Sequence, residues 1–229
     1  RHLRVPSAIV AMGGLGAVPG LSFNPMMLLH GEQDLEIKKA IPVEAEVETN
    51  GRVAGIYDKG KAALVVIETE TKVKGESDPL FVNRFSLFLR GEGGFGGDSG
   101  PAAGNAAPDR APDNVVESPT IPQQALLYRL SGDKNPLHAD PGFAKMGGFD
   151  TPILHGLCSF GIVCKAVVDN ALGGDTSKVA RYQARFAGVF FPGETMVTSY
   201  WKDGNTILVE SKSKERGTAV ISNAAITVR

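Results

Sequence analysis

A stretch without apolar periodicity, from Gly91 to about Pro122, cuts this chain into two halves. It opens Gly-Glu-Gly-Gly-Phe-Gly-Gly and continues in Gly, Pro, Ala and Asp. A structureless span of that length is out of place inside one compact unit, so it reads as a connection between two units. The expected division is an N-terminal unit over 1–97, a linker over 98–122 and a C-terminal unit over 123–229.

The halves repeat in outline. The first runs Asn24-Pro25-Met26-Met27-Leu28-Leu29-His30-Gly31, then a helical stretch, a turn at Pro42, and β-rich segments around Ala45–Val47, Ala62–Thr71 and Phe81–Arg90. The second runs Thr151-Pro152-Ile153-Leu154-His155-Gly156, a helical stretch to about Leu172, a turn at Pro192-Gly193, and segments around Met196–Trp201, Thr206–Ser211 and Ala219–Arg229. Asp58-Lys59-Gly60 and Asp203-Gly204-Asn205 supply hairpin turns at matching places. Each half therefore reads as a helix followed by an antiparallel sheet, an α+β unit used twice. A twisted sheet can wrap such a helix and bury its apolar stripe.

With 229 residues, 42% hydrophobic and 21% charged, the chain can bury a sizeable core. The 24 basic and 25 acidic residues balance to a net charge of -1, without the long basic run that neutralises a nucleic-acid backbone. The longest apolar runs fall far short of the ~18 to 20 residues a membrane-spanning helix needs. The only cysteines, Cys158 and Cys164, point different ways on the expected helix and read as buried free thiols, which suits a reducing compartment.

The chemistry concentrates in Tyr128-Arg129-Leu130-Ser131-Gly132-Asp133-Lys134-Asn135-Pro136-Leu137-His138. Asp133 and His138 are separated by a proline that forbids a regular helix, so an irregular turn can bring them together. A carboxylate and an imidazole within reach of one water are what hydration of a double bond needs. The bare pattern is also met in a capped turn beside an exposed histidine.

This segment, with Gly148-Phe149-Asp150, Pro152-Ile153-Leu154-His155-Gly156-Leu157-Cys158 and Phe160-Gly161, resembles the hydratase 2 (MaoC-like) family of (R)-specific 2-enoyl-CoA hydratases. The likeness continues in His30-Gly31-Glu32-Gln33, Asp58-Lys59-Gly60, Phe85-Ser86-Leu87-Phe88-Leu89, Gly93-Gly94-Phe95-Gly96-Gly97, Ala184-Arg185-Phe186 and Ser222-Asn223-Ala224. It implies a double hot-dog fold, two tandem units each with a central helix wrapped by an antiparallel sheet, as a homodimer acting on acyl-CoA thioesters without a cofactor. It also implies that Asp133 and His138 activate the water, in an order the sequence leaves open. Asn135 fixes the turn and orients the pair, or simply makes an Asx turn before Pro136. Gly156, near the expected helix start, is the candidate backbone donor to the thioester oxygen, with helix–sheet packing as its other reading. His155 reads as a structural histidine beside the site.

The first half has no Gly-Asp-x-Asn-Pro-x-His string, so the resemblance gives it a substrate-holding role. His30, Gly31, Lys59 and Phe186 carry over as substrate contacts, with Lys134, Pro136 and Leu137 from the catalytic segment. Lysine suits the phosphates of coenzyme A and phenylalanine suits pantetheine or acyl chain. Taken alone, Lys59 would be a solvated turn residue. The resemblance further implies a peroxisome. The chain ends Ile-Thr-Val-Arg rather than in a Ser-Lys-Leu address, which leaves the cytosol as the other setting, and its start at Arg1 suggests an excised domain.

The glycine run at 91–97 lacks the Gly-Lys-Ser/Thr ending of a P-loop and reads as a strand exit and hinge. No cysteine–histidine spacing resembles a zinc site, so no metal is expected, and no Gly-x-Ser-x-Gly elbow marks a serine hydrolase. The competing readings are dehydration, the same reaction reversed, an acyl-CoA thioesterase, and a non-catalytic acyl-CoA-binding or dimerisation module.

Overall fold

The computed structural model describes residues 27–229. Nine antiparallel strands form one continuous sheet in the order β2-β3-β4-β1-β6-β9-β8-β7-β5. The first half supplies β1 (Leu28–Ile37), β2 (Val47–Asp58), β3 (Ala62–Val73) and β4 (Pro79–Arg90). The second supplies β5 (Asn114–Pro119), β6 (Val179–Phe186), β7 (Thr195–Asp203), β8 (Thr206–Ser213) and β9 (Ala219–Val228), with α1 (Gln124–Tyr128), α2 (Pro141–Met146) and α3 (Gly156–Ala171).

Helix α3 is the centre of the second half. Leu157, Phe160, Val163, Cys164, Val167 and Val168 are buried against Tyr182, Met196, Tyr200, Val209, Val220 and Ile226 of the surrounding strands. The stack of Phe160 on Tyr182, with ring centroids 3.8 Å apart, fixes the helix on β6. Gly173 and Gly174, at φ 70° and 79°, end the helix, and the Gly174 N–H returns to the Val168 carbonyl at 3.0 Å. Cys158 and Cys164 are free and buried in α3 as expected, and burial pushes each thiol up to about 12.

The first half departs from expectation. Where a helix was read after Gly31, the chain forms β1, and among the described residues no helix lies between β1 and β4. Glu32-Gln33-Asp34-Leu35-Glu36-Ile37 alternates, with Gln33 and Leu35 buried and the acids on the other face. Two-sided pairing decides the outcome: β1 lies between β4 and β6 and joins the halves. A bidentate pair from Arg181 to Asp34 (2.8 and 2.7 Å) and two hydrogen bonds from Arg185 to one oxygen of Glu32 (3.0 and 2.8 Å) reinforce that junction. Asn24 to Met26 of the expected repeat lie outside the described residues.

Two further segments differ from expectation. Asn114–Pro119, assigned to the linker, is strand β5 and pairs with β7. Strand β6, not singled out as a strand, pairs with both β1 and β9. The turns at Asp58–Gly60 and Asp203–Asn205 do close the β2–β3 and β7–β8 hairpins.

Candidate active site

The segment from Asp133 to His138 is held by local hydrogen bonds rather than by regular structure. The Asn135 side chain accepts the Leu137 N–H at 3.0 Å and caps a 3-10 turn over Pro136–His138. The Asn135 N–H donates to Asp133 Oδ1 at 3.1 Å, so one residue secures both the turn and the carboxylate. Asp133 is buried at 7% exposure, facing inward from this turn.

His138 Nδ1–H donates to the Ile153 carbonyl at 2.8 Å, which leaves Nε2 as the ring's lone-pair nitrogen. His155, at 1% exposure, stacks on His138 with centroids 3.7 Å apart and donates from Nε2–H to the Asp133 carbonyl at 3.1 Å. His155, read from the sequence as a structural histidine beside the site, thus contacts both candidate catalytic residues. Burial lowers His138 below its ordinary value, and burial together with the neighbouring His138 lowers His155 to about 4. Both rings are neutral near pH 7.

Atoms of Asp133, His138 and His155 lie within 4.8 Å of one another, the one such metal-type grouping among the described residues. Two of its members are the stacked imidazoles, with ring planes 28° apart, and one nitrogen of each donates to a backbone carbonyl.

Asp133 and His138, but not His155, open onto a cavity of about 580 Å³ between the halves. Asp133, Asn135, Leu137, His138 and Gly156 line it from the second half with Phe186, and His30, Gly31 and Lys59 line it from the first. Gly156 begins α3 and has no side-chain cap before it. Among the described residues its N–H meets no backbone carbonyl. A Cβ there would come within 3.2 Å of the Phe186 ring, so the glycine keeps the wall thin at the helix's positive end.

Gly31 sits at a bulge in β1 between His30 and Glu32, which sets His30 against Phe186 at 4.8 Å. His30 Nε2–H donates to the Glu32 carbonyl at 3.0 Å, and desolvation lowers the ring to about 4. Alternation along β3 and β4 turns Ala63, Val65 and Ile67 toward Phe85, Leu87 and Leu89, while Leu64 of β3 and Phe88 of β4 face the cavity.

Lys134 and Pro136 do not line the cavity and are exposed. With Asp133 turned inward, its chain neighbour points out, and Pro136 occupies the outer start of the 3-10 turn. Sequence reasoning did not single out as cavity residues Leu64, Phe88, Ser159, Arg185 or Phe190. Strand alternation and pairing between the halves bring Leu64, Phe88 and Arg185 to the wall, while Ser159 follows Gly156 by three residues on α3.

The MaoC-like domain family matches residues 104–224, and the MFE-2 hydratase 2 N-terminal domain family matches residues 5–91. Enoyl-CoA hydratase ChsH3 of Mycobacterium tuberculosis is 46% identical over 220 residues, covering 96% of this chain and 74% of the relative. The full-length peroxisomal multifunctional enzyme type 2 of Drosophila melanogaster superposes with a TM-score of 0.82 at 36% identity, covering 98% of this chain and 40% of that one. A Mycobacterium tuberculosis protein described as a double hotdog fold superposes at 0.59 with 12% identity, over 100% of this chain and 81% of that one, a likeness of fold alone. By matched length, identity and hot-dog architecture together, the chain belongs to the MaoC-like hydratase 2 family.

Proposed function

We propose that the protein hydrates 2-trans-enoyl-CoA reversibly to (3R)-3-hydroxyacyl-CoA in fatty-acid β-oxidation. The observation that carries this reading is the buried Asp133 carboxylate beside a neutral His138 whose Nε2 has no hydrogen-bond partner among the described residues, at the wall of a largely apolar cavity. The family likeness supports the (R) outcome.

Asp133 and His138 hold the water, and together they carry one negative charge. As the water oxygen bonds to the β-carbon, the pair accepts one proton. The π electrons move through the α-carbon onto the thioester oxygen, which the Gly156 N–H stabilises as an enolate. The pair then returns one proton to the α-carbon, so proton and electron counts close without a cofactor. The order of transfer is a property of the coupled pair. His155 and Asn135 hold that pair in place.

In this reading the C-terminal unit carries the chemistry and the N-terminal unit holds substrate. Leu64 and Phe88 face the acyl chain, Phe186 packs on pantetheine or acyl chain, and Lys59 meets coenzyme A phosphates. The same likeness supports a homodimer and a peroxisomal setting.

The test is loss of the conjugated ultraviolet band of 2-trans-enoyl-CoA, coupled to an (R)-specific dehydrogenase. Rapid loss with (R)-product is expected. Thiol release instead would indicate a thioesterase, and neither change would leave an acyl-CoA-binding module.

A further inference from the structure

The glycine run at 91–97 is not a free hinge. Asp58, the last residue of β2, accepts backbone N–H groups from Gly60 (2.7 Å) and Gly94 (2.9 Å) on Oδ1 and from Gly96 (2.7 Å) on Oδ2. The three glycines have φ of 75°, 82° and 78°, left-handed values that let separate amides converge on one anion. The Asp58 N–H donates to the Asp98 carbonyl at 2.8 Å, and the Gly91 N–H donates to the Lys61 carbonyl at 2.9 Å. The next residue, Lys59, lines the cavity, and its Nζ donates to the Ser99 carbonyl.

Every residue from 91 to 99 except the half-buried Gly93 is exposed, and even Phe95 keeps 53% of its surface open, so apolar burial is not the main hold on this strap. Charge-assisted hydrogen bonds to Asp58 do. The amides also lower the Asp58 carboxyl below the usual range, which keeps it ionised.

We propose that Asp58 is a positioning residue for substrate binding: by clamping the glycine strap it fixes the Lys59 turn, and so presets an ammonium for the phosphates of the coenzyme A portion. This rests on the reading of the cavity as an enoyl-CoA site. Asp58 touches neither the reacting carbons nor the acyl chain, and its effect is confined to the phosphate-bearing end of the substrate.

The experiment compares Asp58→Ala with the unaltered protein on two substrates, an enoyl-CoA and the same enoyl group on N-acetylcysteamine, which has no phosphates. The expected result is a KM for the CoA thioester raised about tenfold, with kcat and the truncated substrate's KM little changed. In a Lys59→Ala background, Asp58→Ala should add nothing further. Equal losses on both thioesters, an unchanged KM for the CoA thioester, or an additional loss without Lys59 would each overturn the proposal. Asp58→Asn, which keeps one acceptor oxygen, serves if the alanine variant does not fold, and should show the same selectivity at reduced size. If the unaltered protein hydrates neither thioester, the hydratase reading is what fails. Calorimetry with coenzyme A alone then decides the clamp: tenfold weaker binding in the variant sustains it and equal binding rejects it.

Discussion

At the scale of single residues, the site depends on where each proton and each orphan amide sits. Ile153 takes the His138 Nδ1–H, so Nε2 is the nitrogen left for chemistry. Asp133→Asn or His138→Gln should lower kcat about 100-fold or more while the circular dichroism spectrum is unchanged, because positioned acid–base groups contribute about 100- to 10,000-fold. Near-full turnover in either variant would remove that residue from the chemistry. Burial holds His138 below its ordinary value, so the acid limb of a kcat/KM profile should lie below about pH 6.5, with activity falling as the ring gains a proton. Gly156→Ala is a different kind of change. Its backbone is compatible with alanine, but the new methyl meets the Phe186 ring at 3.2 to 3.4 Å. Loss of kcat/KM by about tenfold or more with little change in melting temperature is expected.

At the scale of elements, α3 and β3 do separate work. Helix α3 holds the second half together, and Val167 on its buried face is fully enclosed. Val167→Ala should cost about 2 kcal/mol in urea unfolding, from two lost methyl groups and the space they leave. Strand β3 presents alternate residues to two surroundings, and Leu64 is the one that faces the cavity. Leu64→Trp should therefore reduce hydration of long acyl chains more than short ones, read as the ratio of kcat/KM across chain lengths. An unchanged ratio would place the acyl chain elsewhere. Strand β1 shows how far an element can be read in advance. The polar–apolar alternation of Glu32 to Ile37 was present in the sequence, but its acidic residues and leucine also suit a helix, and pairing on both sides settled the matter.

At the scale of the whole molecule, joining two halves into one sheet creates the cavity and buries titratable rings around it. His30 and His155 are each lowered to about 4 by burial, against about 6.5 when unfolded. Their folded values are depressed, so the unfolded chain binds protons the folded protein does not. Stability from this source is present above pH 6.5 and lost as pH falls from 6.5 toward 4. The urea midpoint should drop between about pH 7.5 and pH 5, and His155→Phe should flatten that drop even if it lowers stability overall.

The sequence by itself determined the groups that are local: the turn through Asp133, Asn135 and His138, the helix start at Gly156 and the two hairpin turns. Proline geometry, side-chain capping and left-handed glycines act over a few residues, and such constraints can be read directly from the order of the chain. Tertiary structure decided the rest. It made a strand of the residues after Gly31, drew Asn114–Pro119 into the sheet, and carried Leu64, Phe88 and Arg185 to the cavity. It also turned the glycine run into a strap held by Asp58, 36 and 38 residues away from the amides it captures. Those outcomes depend on partners distant in sequence, whose pairing energies enter only once the two halves have met.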